Sequence, residues 1–192
     1  MATTSNSLEA NPLPEIKRHV TTHDASGNSV YSRGLPEAMQ WWTINTAEGH
    51  SGHFELGYTT EGLPINMTDE KDLAAFKETY ANKQKTGLVR HGGTVLRYCD
   101  IPPKSRSPMH RTVSLDYGIV IAGELECLLD SGESRIVRPG DLVIQRGTSH
   151  QWLNNTDVWA RIVFVLYHAE PLLIGGLPLA EEKGGMGVPA SH

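Results

Sequence analysis

From Gly93 to His168 the chain alternates short runs of β-branched, aliphatic and aromatic residues with tight turn signals, and no helical period interrupts them. The runs read TVLRYCDI, LDYGIVIAGELECLLD, SRIVRP, GDLVIQ, HQWLN and WARIVFVLYH; the punctuation reads PPKSRSP, SGE, PGD, RGT and NNTD. Such runs match the strand signature, and the Pro, Gly, Asn and Asp clusters match turns. Strands this short, with a turn about every 8–12 residues, predict a sandwich or a barrel. A parallel α/β fold needs a helix between successive strands, and none is written here.

The first half is less regular. Ile16 to Arg33 reads as strand, turn, strand, with Asp24–Asn28 as the turn. Trp41 and Trp42 precede a polar stretch and the strand-like HFELGYTT. Residues 68–84 predict the one helix, with Thr68 as N-cap and Leu73, Phe76 and Tyr80 as its buried stripe. The expected organisation is a flexible arm over 1–15, strands and helix over 16–92, a barrel over 93–175 and a flexible tail over 176–192.

Composition limits function. With 192 residues, 39% hydrophobic and 20% charged, the chain has an ordinary single-domain balance. Its net charge of -5 argues against a nucleic-acid partner, which wants a basic face. No stretch nears the roughly 18 apolar residues of a membrane helix. The N-terminus lacks a secretory layout, so a cytoplasmic protein is expected, with Cys99 and Cys127 as free buried thiols.

The chemistry concentrates in two rows. In MHRTVSLDYG, an extended backbone puts His110, Thr112, Ser114 and Asp116 on one face. In SHQWLN, His150, Trp152 and Asn154 form a second row. Two rows facing one cavity bring together two imidazoles and a carboxylate. That donor set, His110, Asp116 and His150, suits non-haem iron, and equally zinc, manganese or nickel. Arg111 and Arg146 flank the rows and read as solvated; His50 and His53 read as a surface coincidence.

These residues resemble the two motifs of the cupin superfamily. KSRSPMHRTVSLDYGIVIAG puts His110 at the first histidine of the first motif, Thr112 at its second, Asp116 at its glutamate and Gly123 at its closing glycine. GDLVIQRGTSHQWLN supplies Gly140, Gly147, His150 and Asn154 of the second motif, with Gln145 where a proline is usual. The wider pattern, with RHVTTHDASGNSVY upstream, is similar to a group of fungal and bacterial single-domain cupins, some beside polyketide biosynthesis genes. The resemblance implies an all-β jelly-roll barrel (a double-stranded β-helix) with one short helix in its N-terminal half. It implies a divalent transition metal at His110, Asp116 and His150, and a substrate pocket holding Thr112, Ser114, Trp152 and Asn154. It also implies a homodimer formed by exchange of the 16–33 segment.

The function expected is tailoring of a small polyketide-derived or aromatic molecule, by oxidation or by isomerisation, dehydration or cyclisation. Two alternatives stand beside it: metal-free acid–base chemistry by His150 and Asp116, and a non-catalytic binding barrel.

Overall fold

The computed structural model describes residues 11–192. The expected arm over 1–15 therefore lies mostly outside the described residues. In chain order the elements are β1 (Thr21–His23), β2 (Ser29–Tyr31), β3 (Trp42–Asn45), β4 (Ser51–Thr60), α1 (Lys71–Ala81), β5 (Thr94–Ile101), β6 (Ser105–Arg106), β7 (Ser114–Ala122), β8 (Leu125–Leu129), β9 (Ser134–Val137), β10 (Leu142–Arg146), β11 (His150–Asn154), β12 (Ala160–His168), β13 (Leu173–Ile174) and β14 (Leu177–Pro178). Six strands form one antiparallel sheet in the order β10-β7-β12-β5-β4-β3, and four form another in the order β6-β11-β8-β9. The architecture is the all-β jelly roll that the turn-punctuated runs predict.

The alternation along the strands decides what lies inside. On β5, Val95, Arg97, Cys99 and Ile101 are buried while Thr94, Leu96 and Tyr98 are half-buried. On β11, His150, Trp152 and Asn154 are buried and Gln151 and Leu153 are half-buried. Two apolar clusters result. One, with Val120, Leu125, Cys127, Trp152 and Ile162, fills the space between the sheets. The other, with Leu56, Phe76, Leu88, Val95 and Leu166, joins the helix to the larger sheet. Both cysteines are buried and free.

The division between the 16–92 and 93–175 segments dissolves in the fold. β3 and β4 extend the larger sheet through the β4–β5 ladder, so the upstream half supplies two of its six strands. The helix starts at Lys71, later than Thr68. Asp69 and Glu70 both have φ near 54°, in the left-handed region, and no side chain caps the first turn. The expected stripe is nonetheless correct: Leu73, Phe76 and Tyr80 are the helix's buried residues.

The end of the chain corrects the expectation of a flexible tail over 176–192. Residues 182–192 fold back as a strap. Glu182 and Arg111 exchange two backbone hydrogen bonds of 2.8 and 2.9 Å, and their side chains form an ion pair. The Gly187 N–H donates to the Asn45 carbonyl and the His91 N–H to the His192 carbonyl. Met186 and Val188 are buried in the helix-side core. Polar, glycine-rich composition signals a lack of local structure, but two apolar anchors and a matching backbone ladder suffice to seat such a segment. Asn11 and Pro14 dock similarly, through Asp100 and Arg161. Among the described residues no helix is long and apolar enough to cross a membrane.

Candidate active site: a facing imidazole pair

His110 and His150 meet through an isolated antiparallel bridge, each backbone N–H donating to the other's carbonyl at 2.9 Å. This pairing brings the imidazole centroids to 4.3 Å at an interplanar angle of 56°. Each Nδ1 lies 2.9 Å from the carbonyl two residues earlier, Pro108 for His110 and Thr148 for His150. A carbonyl only accepts, so each Nδ1 carries the proton and each Nε2 keeps a lone pair. Both rings line the same cavity. Its walls are mainly apolar, among them Ile44, Phe54, Trp152 and Leu166, and it encloses about 80 Å³.

Burial pushes both imidazoles below the ordinary histidine value, and for His150 the neighbouring ring adds to this, taking it to about 3. Both rings are therefore neutral near pH 7. Asp116 is also buried, and burial raises its carboxyl to about 6, against the opposing pull of its hydrogen bonds. The Ser114 hydroxyl donates to Asp116 Oδ1 at 2.5 Å and the Thr112 hydroxyl to Oδ2 at 3.2 Å.

The expected residues therefore separate. His110, Thr112, Asp116, His150 and Trp152 line the cavity. Ser114 stands behind Asp116 as its hydrogen-bond donor. Asn154, expected in the pocket, belongs instead to a turn. Its amide donates to the Ile101 and Val158 carbonyls and its carbonyl oxygen accepts from Thr156, so its hydrogen-bonding capacity is taken. The expected three-ligand metal centre is also revised. Among the described residues no group of three His, Cys, Asp or Glu side chains is arranged to hold an ion. The two imidazoles fit a metal in tautomer, charge state and carbonyl support. Asp116, held by two hydroxyls, does not complete the set.

Two wall residues escaped the two-row reading. Gln145 stands opposite Asp116 in the β10–β7 ladder, with both amide atoms buried and unpartnered. Arg97 occupies an inward position of TVLRYCDI, where a period-2 count would have flagged a charge among apolar neighbours.

Opposite protonation preferences predict a particular pH dependence. Both imidazoles bind fewer protons folded than unfolded, so they lend stability that is lost as pH falls below about 6.5, a loss that for His150 continues down to about 3. Asp116 holds its proton more tightly when folded, so its contribution runs the other way, falling as pH rises from 3.8 to about 6. His150 moves further from its ordinary value than Asp116 does, and His110 acts in the same direction as His150, so the imidazoles outweigh the carboxyl. Urea unfolding should find the protein less stable at pH 4 than at pH 7, and Asp116→Asn should steepen that loss by up to about 3 kcal/mol. A shallower loss in the variant would contradict these assignments.

A two-sheet antiparallel jelly roll with a bridged histidine pair lining its cavity is the architecture of a cupin barrel. The chain belongs to the cupin family: the family model described as Cupin domain matches residues 97–166. It is 40% identical over 181 residues to the Phomopsin biosynthesis cluster protein D of Diaporthe leptostromiformis, covering 94% of this chain and 93% of that one. It is 36% identical over 196 residues to the cupin-domain-containing oxidoreductase virC of Hypocrea virens, covering 94% and 92%. A solved cupin-2 domain structure from Rhodospirillum rubrum is similar over 71% of this chain and 75% of that one, at 16% identity and a TM-score of 0.47.

Proposed function

We propose that this cupin is a tailoring enzyme of a biosynthetic cluster, transforming a small organic molecule, polyketide-derived or aromatic, at the His110–His150 pair. The carrying observation is the pair itself: two neutral rings, each Nδ1–H held by a carbonyl, each Nε2 lone pair left to the cavity. The kinship with cluster proteins and with a relative named an oxidoreductase supports this reading and favours oxidation over isomerisation, dehydration or cyclisation. His110 and His150 would hold a divalent transition metal, with iron, zinc, manganese and nickel all compatible with imidazole donors. Such an ion supplies Lewis acidity or one-electron redox chemistry. The apolar walls orient the substrate and exclude water, and Asp116 holds or releases a proton beside it.

The test is elemental analysis of untagged protein, with product profiling of cluster intermediates by mass spectrometry. Near-stoichiometric transition metal, lost in His110→Ala and in His150→Ala, is the expected result. Full turnover by protein stripped of metal would overturn the metal's role.

A second reading has its own support in the missing third donor and the raised Asp116 carboxyl. In it, His150 and Asp116 exchange protons with the substrate directly. Chelator-insensitive turnover that disappears in His150→Ala would select it.

A further inference from the structure

Three arginines are buried in the described structure, and they differ in what holds them. Arg161 pairs with the Asp100 carboxylate through Nε and Nη2, at 2.5 and 2.6 Å. Arg18 donates to the Leu56, Gly57 and Pro36 carbonyls. Arg97, only 1% exposed, makes a single hydrogen bond, from Nη2 to the Gly87 carbonyl at 2.7 Å. Its Nε and Nη1 are buried with no partner among the described residues. No ion pair neutralises it among those residues, and its strand neighbours on the inward face are Val95 and Cys99. The guanidinium leans on aromatic faces, 5.1 Å from the Phe54 centroid and 6.0 Å from that of Trp42.

A buried charge without a counter-charge is costly, and buried donors without acceptors add to that cost. Arg97 lines the cavity that also holds His110 and His150. Gln145, on another wall, has an equally unpartnered donor and acceptor. The cavity walls are thus mainly apolar, and their polar groups differ in what holds them: Asp116 is engaged by two hydroxyls and Arg106 by Glu48, whereas Arg97 has no ion-pair partner and the Gln145 amide has none of its hydrogen bonds among the described residues. We propose that Arg97 is the anchor for a carboxylate on the substrate, with Gln145 as a second polar contact, so that the substrate class is a small apolar carboxylic acid. The guanidinium fork matches a carboxylate in shape and charge, and the apolar walls strengthen the pairing by excluding water. Burial weakens the guanidinium's hold on its proton, to about 10, but leaves it cationic at neutral pH. This inference rests on the reading of the cavity as the substrate pocket.

The test uses the full chain with isobutyrate and benzoate as probes, against isobutyramide and benzamide. Binding is followed by tryptophan emission and by the imidazole resonances of His110 and His150. The acids should bind at least about tenfold more tightly than their amides. Arg97→Met should lose that preference, and Arg97→Lys should keep part of it. Arg97→Met should also melt no lower than the wild type, because it removes an unpaired charge. Equal binding of acid and amide, wild-type benzoate affinity in Arg97→Met, or no binding of either acid would overturn the proposal. So would a drop of more than about 5 °C in Tm for Arg97→Met, which would make Arg97 a packing group. Acid-selective, Arg97-dependent binding that leaves both imidazole resonances unmoved would keep the anchor and refute the imidazole pair as the reacting centre.

Discussion

Arg161→Met should cost the fold about 3–5 kcal/mol, the range for removing one partner of a buried ion pair. Arg161 is side-chain buried to 5% exposure and Asp100 to 0%, and the two are joined by two charge-assisted hydrogen bonds. The substitution strands the Asp100 carboxylate with, among the described residues, only the Asn11 amide as hydrogen-bond partner, and it also releases the Pro14 carbonyl. A loss of this size is a large share of an ordinary domain's stability. Urea denaturation measures it, and a cost below about 1 kcal/mol would show the pair to be screened by water. The companion test is the double variant Asp100→Leu with Arg161→Met. It leaves no buried charge at this position, so it should recover a large part of the loss. Recovery will stop short of complete, because Asn11 and Pro14 lose their partners.

Gly184→Ala should lift the C-terminal strap from the barrel mouth. Gly184 has φ +59, in the left-handed region that glycine alone enters without strain. An added β-carbon would also run into the Met109 carbonyl oxygen, backbone that cannot swing aside. Met109 adjoins His110, and Met186, two residues beyond Gly184, is a cavity wall. The variant should therefore expose the strap to proteolysis after residue 180 while the barrel stays folded. It should also admit ligands too large for the wild-type cavity. Limited proteolysis with mass spectrometry reads the first effect. A cleavage pattern identical to wild type would mean that the strap tolerates the side chain, and that the cavity's small volume has another cause.

The strap also marks a boundary of what local reasoning reaches. EEKGGMGVPASH carries every compositional sign of a loose end, and its two large apolar residues, Met186 and Val188, are too few to declare a periodicity. Their partners, Leu88 and Val89 among them, lie about a hundred positions earlier in the chain. The helix start shows the same limit at short range. Thr68 has the right chemistry for an N-cap, yet the left-handed backbone at Asp69 and Glu70 moves the first turn to Lys71. By contrast, the helix stripe, the Asp24 turn and the inward rows of His110 and His150 follow from periods of 3.6 and 2 and from turn chemistry, all of them local.

The sequence by itself determined the strand-and-turn architecture, the family, and the candidate rows, because side-chain alternation and turn preference act over only a few residues. The tertiary structure decided which members of those rows meet. It joined His110 to His150 across 40 positions. It tied Asp116 to two hydroxyls, and it used Asn154 in a turn. It left Arg97 without a carboxylate where Arg161 has one. Each outcome depends on which donors and acceptors stand within about 3 Å in the folded chain, a distance that sequence spacing does not encode.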